Sequence, residues 1–237
     1  MVDQIFYLIT VPMVYLAFAW CLVGIIVKVA GVLKAPRHPF TLKVFPDREH
    51  PVPSVFWGAL SMPTVRRQRP GLWLMLVLFH LGIAVLILAH LDLLPWFNIY
   101  PSESPHMIGN GFVGLVVTIA AFYFLFRRFF APVREISVPA DYLLLILLLC
   151  VFISGGIISW ANSWNGEGFV ITKQDFGTYL DSLFHFTWED PRELLEGSHY
   201  VVLVVHVFLA NLFLMILPFS KVMHAFFAMP LNKLRRG

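Results

Sequence analysis

Four histidines lie inside strongly apolar stretches of the chain, where an ionisable side chain is unusual. His80 and His90 fall in GLWLMLVLFHLGIAVLILAH, and His206 and His224 fall in HYVVLVVHVFLANLFLMILPFSKVMH. An imidazole ring in hydrocarbon costs free energy unless it is neutral and its nitrogens are occupied. Two such histidines on each of two segments therefore predict two metal centres with imidazole ligands.

The residue types available as ligands exclude several kinds of metal centre. No carboxylate accompanies the four histidines inside the apolar stretches, which argues against a hydrolytic zinc site. The cysteines, Cys21 and Cys150, are too few to hold an iron–sulfur cluster, and no C-x-x-C-H motif offers covalent haem attachment. The pattern favours two haem irons with axial imidazoles, held by coordination and packing.

The composition is typical of an integral membrane protein. Of the 237 residues, 59% are hydrophobic and 13% are charged, and the mean hydropathy is +0.77. A span needs about 20 mostly apolar residues, so the sequence predicts an all-α, five-helix membrane bundle forming a single domain over residues 1–237. The predicted spans are residues 5–31, 72–94, 109–130, 141–162 and 198–220. The first lacks the features of a cleaved signal peptide and is predicted to be retained.

Positive charge is distributed unequally between the two sides of this predicted bundle. Fifteen of the seventeen Lys and Arg residues fall around the first connection, the third connection or the C-terminus, and most acidic residues fall on the opposite side. The positive-inside rule then predicts the N-terminus outside and the C-terminus in the cytoplasm. The net charge of +3 reflects this asymmetry and gives no indication of nucleic-acid binding.

Two connections are long enough to carry structure of their own. The cytoplasmic connection 32–71 is rich in Pro and Arg and is predicted to be a docking surface. In the outer connection 163–197, DFGTYLDSLFHF has apolar residues at helical spacing, and Asp190-Pro191 is a helix-start signal. We expect two short interfacial helices that cap the outer end, with a disordered loop as the alternative.

The antiparallel course of the second and fifth spans decides how the histidines pair. His80 and His224 lie towards the cytoplasm, and His90 and His206 lie towards the outside. At about 1.5 Å per residue, the two pairs would be about 21 Å apart across the hydrocarbon core. His206 and His224 are eighteen residues apart, which would place them on one face of a continuous helix. His80 and His90 are ten residues apart, so their directions around the helix axis would differ by about 80°.

Neighbours of the inner pair are candidate haem-binding residues. Gly82 follows His80 closely and would let a porphyrin approach the backbone. Arg127 and Arg128 lie at the depth of haem propionates, although snorkelling to lipid phosphate explains them equally well. Pro218 precedes His224 and predicts a bend in the fifth span.

Three segments resemble the gamma-type cytochrome b subunits of respiratory nitrate reductases and their relatives. They are FHLGIAVLILAH, FRRFFAPVREISVPADYLLLILLL and LPFSKVMH, within a resemblance that covers roughly residues 72–230. The resemblance implies a quinone-reactive oxidoreductase subunit in a prokaryotic cytoplasmic membrane, carrying two b haems. His80 and His224 would bind the inner haem, and His90 and His206 the outer one. Electrons would pass between menaquinone or ubiquinone at the outer haem and a cytoplasmic iron–sulfur subunit.

Departures from the nitrate-reductase pattern narrow this resemblance. The inner connection is longer, and the outer-loop lysine of that family's quinol site has no counterpart near residues 104–107. The chain is more similar to the related cytochrome b subunits of sulfate-reducer electron-transfer complexes. The implied cytoplasmic partner is then heterodisulfide-reductase-like, with a nitrate-reductase-beta-like subunit as the alternative. An extracytoplasmic cytochrome c is a further candidate partner.

Quinol oxidation at the outer side needs proton acceptors, because two protons leave with the two electrons. His199 lies seven residues before His206, on nearly the same helix face and about 10 Å further out. His106 precedes the third span, and Asp92 follows His90. We expect His199, and then His106, to contact the quinone. For each residue an ordinary interfacial position is the alternative.

Other functions would leave the same histidines without haem. They could be structural residues of a haem-free membrane anchor or assembly subunit, or a proton relay in a transporter. Pairing of all four histidines in register between two antiparallel spans favours the di-haem interpretation.

Overall fold

Helices make up the regular structure of the described chain. The computed structural model describes residues 2–34, 58, 61–94, 96, 97, 99, 111–164, 173–194 and 200–227. The helices are α1 (Val2–Thr10), α2 (Pro12–Lys34), α3 (Pro63–Gln68), α4 (Pro70–Asp92), α5 (Phe112–Arg127), α6 (Pro139–Trp164), α7 (Lys173–Phe184), α8 (Pro191–Leu194) and α9 (Tyr200–Ile216). Within these residues the all-α prediction is confirmed.

Several helical stretches are long and apolar enough to cross a membrane. They are Val2–Lys34, Pro70–Asp92, Pro139–Trp160 and Tyr200–Phe219. The predicted third span corresponds to α5, which is apolar but has only 16 residues, fewer than the roughly 20 that a span needs. The described chain thus supports a multi-pass membrane protein with four candidate spans. The five-span count and the orientation of the termini stay predictions.

Prolines mark where many of these helices begin. The first residues of α2, α3, α4, α6 and α8 are Pro12, Pro63, Pro70, Pro139 and Pro191. Proline suits this position because the first N–H of a helix has no partner within the helix and the ring fixes a helical φ. The sequence therefore sets the start of α4, which carries His80 and His90.

The long helices pack in the order α4, α5, α6, α9 and α2, with α1 against α2 and α9. Glycines permit the close approaches, as is common in membrane bundles. A Cβ atom on Gly82 of α4 would lie 2.4 Å from Val117 Cγ1 of α5, and one on Gly24 of α2 would lie 2.7 Å from Pro218. Both separations are shorter than a Cβ contact allows, so a side chain at either position would force its neighbour to move.

The connection before α9 folds back onto one end of the bundle, which we call the α7 end. Phe176 of α7 belongs to a buried cluster with Ile158 and Leu203. The Tyr179 hydroxyl donates a hydrogen bond to the Thr10 carbonyl at 2.6 Å, and burial raises the pKa of Tyr179, which keeps this donor protonated. The prediction of two short helices is confirmed for residues 173–194, and the disordered-loop alternative is wrong there.

The opposite end of the bundle, which we call the α3 end, contains the break in the last span. The α9 helix ends at Ile216, and two 3-10 turns, Leu217–Phe219 and Lys221–Met223, lead to His224. Pro218 cannot donate a helical hydrogen bond, so the predicted bend is confirmed. The prediction that His206 and His224 share one face of a continuous helix is wrong, because the helix does not continue past Ile216.

Candidate functional site

The structure brings the four apolar histidines together in two pairs. The ring centres of His80 and His224 are 6.2 Å apart, with the ring planes at 82°. The ring centres of His90 and His206 are 6.3 Å apart, with the planes at 23°. These are the two pairs that the antiparallel register predicts.

The separation of the rings fits one metal atom between each pair. A metal such as zinc lies about 2.0–2.1 Å from an imidazole nitrogen, and that nitrogen lies about 1.1 Å from the centre of its ring. Two imidazoles that bind one metal from opposite sides would therefore have ring centres about 6.3 Å apart. Both observed separations agree with that value. The residues present therefore fit a group that takes one imidazole on each of two opposite sides.

Three of the histidines are oriented by the backbone of their own segment. The Nδ1 atoms of His80, His90 and His224 lie 2.7, 2.6 and 2.7 Å from the carbonyl oxygens of Leu76, Leu86 and Lys221. A carbonyl can only accept, so each Nδ1 carries the proton. Each Nε2 then keeps its lone pair, which is the state needed for metal coordination.

The fourth histidine is oriented by the neighbouring helix α6. The Nδ1 of His206 lies 2.9 Å from Ser154 Oγ, and Ser154 Oγ donates to the Val151 carbonyl at 3.0 Å. A Cβ atom on Gly155 would lie 3.0 Å from His206 Cε1. Consecutive residues of α6 thus contact this ring at two points.

The helices α4 and α9 do not pack closely against each other. Within the described chain, α4 packs on α3 and α5, while α9 packs on α1, α2 and α6, without comparable packing between α4 and α9. The side chains of His80 and His90 are exposed on α4. The imidazoles of α4 therefore meet those of α9 and of the segment after it where α4 and α9 are not closely packed.

The donor set suits haem better than a structural or hydrolytic zinc. No group of three or more His, Cys, Asp or Glu side chains in the described residues is arranged to hold a metal ion. Zinc takes three or four protein ligands. Haem iron needs protein ligands only on its two axial sides, because the porphyrin supplies the rest.

A buried carboxylate organises the segment that carries His224. Asp141, whose side chain is 3% exposed, lies at the start of α6 and accepts from Arg128 Nη1 at 3.2 Å and from Lys221 Nζ at 2.7 Å. Arg128 also donates to Ser137 Oγ at 2.9 Å. Lys221 supplies the carbonyl that binds His224 Nδ1. The ion pairs thus connect α5, α6 and the ligand segment after α9.

The remaining residues predicted around the inner pair have mixed placements. Gly82 is buried against Val117, so the structure gives it a role in helix packing, and its contact with a porphyrin stays a prediction. Arg128 pairs with Asp141, and Arg127 at the end of α5 is half-buried. Propionate binding by either arginine stays a prediction.

The predicted quinone residues His199 and His106 lie outside the described residues. Among the described residues that precede His106, Asp92 is buried and accepts a hydrogen bond from the Ile99 N–H at 2.8 Å. Trp96 packs against Phe184 and His185, with ring centres 4.9 and 6.4 Å apart. His185 is exposed.

Ser154 and Asp141 were not expected from the sequence as site residues. Each has a feature in the sequence that weakly indicates such a role. Asp141 is a carboxylate at the start of an apolar helix on the basic side of the chain, and Ser154 begins the small-residue run SGG inside the same helix. Such residues are candidates for holding a buried polar group from a neighbouring helix.

Comparisons with known proteins agree with both families that the sequence resembles. A family profile described as nitrate reductase gamma subunit matches residues 57–237. Two curated proteins named Hdr-like menaquinol oxidoreductase cytochrome b-like subunit are similar: that of Archaeoglobus fulgidus is 30% identical over 167 residues, and that of Archaeoglobus profundus 26% over 172. Each alignment covers 65% of this chain but 47% or 46% of the relative. The chain therefore spans about half the length of the curated relatives it matches.

Proposed function

Because the chain belongs to the nitrate reductase gamma subunit family, we propose that it is the di-haem cytochrome b subunit of a respiratory oxidoreductase. It would connect a quinone at the outer side of a prokaryotic cytoplasmic membrane with a cytoplasmic iron–sulfur subunit. The observation that carries this proposal is the pair of ring separations, 6.2 and 6.3 Å, between the histidines of α4 and those of α9 and the segment after it, while α4 and α9 do not pack closely. His80 and His224 would hold the inner haem, and His90 and His206 the outer haem.

The protein residues set the chemistry of these sites before any cofactor binds. The bonds from Nδ1 fix one tautomer for each imidazole. When bound, the two haems would supply one-electron carriers at two depths of the membrane. Ten residues of α4 separate His80 from His90, which corresponds to about 15 Å along the helix axis.

We place the quinone at the α7 end, beside the His90–His206 pair. Support comes from the buried carboxylate of Asp92, the last residue of α4, and from the aromatic contacts with α7 that Trp96 makes just beyond it. His199 and His106 are the proposed hydrogen-bond partners of the quinone. Menaquinone is the proposed species, because both curated relatives are named for menaquinol.

We place the iron–sulfur partner at the α3 end. Arg66, Arg67 and Arg69 are exposed in and after α3, close in sequence to the start of α4. A cluster of exposed guanidinium groups attracts an acidic partner surface and accelerates its association. The partner resembling heterodisulfide reductase is favoured, because the matched relatives are described as Hdr-like.

The proposed function is tested with the purified native complex. A dithionite-reduced minus oxidised spectrum should show b-type haem, with two haems for each copy of this chain. Reduced menaquinone should reduce both haems in membranes. His185→Ala is a matched control, because this exposed histidine contacts neither pair, and it should keep both haems. A wild-type chain without b-type haem would contradict the proposal.

A further inference from the structure

We propose that Ser154 is a positioning residue for the His90–His206 haem, fixing the tautomer and plane of His206 from helix α6. The inference rests on the proposed di-haem function, because it assigns a role toward one of the two cofactors. It concerns a hydroxyl that the ligand pattern alone does not identify.

The first step is the difference between His206 and the other three histidines. Each of the others binds a carbonyl three or four residues earlier in its own segment. The bond from His206 instead reaches across 52 positions in the sequence to Ser154. The orientation of this ring therefore depends on the contact between α6 and α9.

The second step is the direction of the hydrogen bonds. The Ser154 hydroxyl has one hydrogen, which it donates to the Val151 carbonyl at 3.0 Å. Its lone pairs are then left to accept from His206 Nδ1–H at 2.9 Å. The proton is thereby held on Nδ1, and Nε2 keeps the lone pair that metal coordination needs.

The third step is the contact with Gly155. The ring of His206 lies so close to α6 that a Cβ atom at position 155 would be 3.0 Å from Cε1. The hydrogen bond fixes one edge of the ring and the glycine backbone limits its rotation. Together they account for a ring plane at 23° to that of His90.

Redox tuning follows from the same bond. An acceptor on Nδ1–H makes the imidazole a stronger donor to iron, and a stronger donor favours the ferric state. Loss of the hydroxyl should therefore raise the midpoint potential of the His90–His206 haem. The Nδ1 atoms of His80 and His224 bind the carbonyls of Leu76 and Lys221, so the haem of that pair should keep its potential.

The test is a spectroscopic redox titration of Ser154→Ala, Ser154→Thr and Thr118→Val in the native complex. Thr118 is a matched control, because its hydroxyl also donates to a backbone carbonyl, that of Gly114 at 2.7 Å, and makes no hydrogen bond to a histidine among the described residues. We expect Ser154→Ala to weaken the preference of the His90–His206 haem for ferric iron about 10-fold. For a one-electron couple this raises the midpoint potential by about 59 mV. The shift should affect one haem only. Ser154→Thr should restore the wild-type potential, and Thr118→Val should have no effect.

The outcomes separate this inference from the proposed function. If the wild-type complex lacks two haems, the proposed function itself fails. If both haems are present and Ser154→Ala leaves both potentials unchanged, only the role of Ser154 is overturned. Equal shifts in the Ala and Thr variants would show a steric effect and would also overturn it. Loss of the His90–His206 haem in Ser154→Ala, with retention in Ser154→Thr, would support the inference.

Discussion

The two histidine pairs have nearly the same ring separation, 6.2 and 6.3 Å, but the angle between the ring planes is 82° in one and 23° in the other. At the α3 end, both Nδ1 atoms bind carbonyls of their own segments, and His224 follows a break in the helix. At the α7 end, His206 is inside a regular helix and is held by α6. The same ligand chemistry is therefore supported by local backbone in one pair and by helix packing in the other.

If the chain holds two haems as proposed, this difference predicts which changes affect which haem. The His80–His224 site should depend on what holds the segment after α9. The His90–His206 site should depend on the register of α6 against α9. Variants at a distance from the ligands can therefore be used to separate the two sites.

The largest selective effect is expected for Asp141→Asn. The change removes the negative charge that Arg128 and Lys221 share, and a charged hydrogen-bond partner that is lost inside a protein costs about 1–3 kcal/mol. The segment bearing His224 should loosen, so the His80–His224 haem should be lost preferentially. Haem content and redox titration of the purified complex would measure this.

Asp181→Asn is the control for that variant, because Asp181 is 41% exposed on α7 and pairs with His185. It should keep both haems. Equal loss of the two haems in Asp141→Asn would contradict a selective role for the Asp141 ion pairs.

A smaller effect is expected for Gly82→Ala. The added methyl group would meet Val117 Cγ1 at 2.4 Å, and overpacking of this kind costs about 1–3 kcal/mol. The melting temperature should fall, and Val117→Ala in the same chain should restore much of it. Failure of this double variant to recover stability would instead favour contact of Gly82 with a porphyrin.

The smallest effect is a spectroscopic difference between the two haems of the unmodified protein. In a low-spin ferric haem with two imidazole ligands, perpendicular ring planes give a more anisotropic electron paramagnetic resonance signal than near-parallel planes. The 82° and 23° angles predict two distinct signals. The Asp141→Asn variant should selectively lose the more anisotropic one, and two identical signals in the wild type would contradict the difference in ring geometry.

The pairing of the histidines could be predicted from the sequence because helix direction alternates along an antiparallel bundle. The bend at Pro218 was also predictable, since proline removes a backbone donor. The contacts of Ser154 with His206 and of Gly82 with Val117 were not. They depend on which helices are neighbours and at what register, and apolar helices give little sequence signal for either.

The same limit applies to the ion pairs of Asp141. The sequence places Arg128, Asp141 and Lys221 near the ends of three different predicted spans. Their meeting at one carboxylate depends on how the chain turns after Ile216. A proline predicts that turn, but not its direction.

The account is tested most directly by haem content and midpoint potential in four single variants, His80→Ala, His90→Ala, His206→Ala and His224→Ala. Each should retain one haem of the two. His80→Ala and His224→Ala should lose the same haem, identified by its potential, and His90→Ala and His206→Ala should lose the other. Loss of one common haem from His80→Ala and His206→Ala would contradict the pairing.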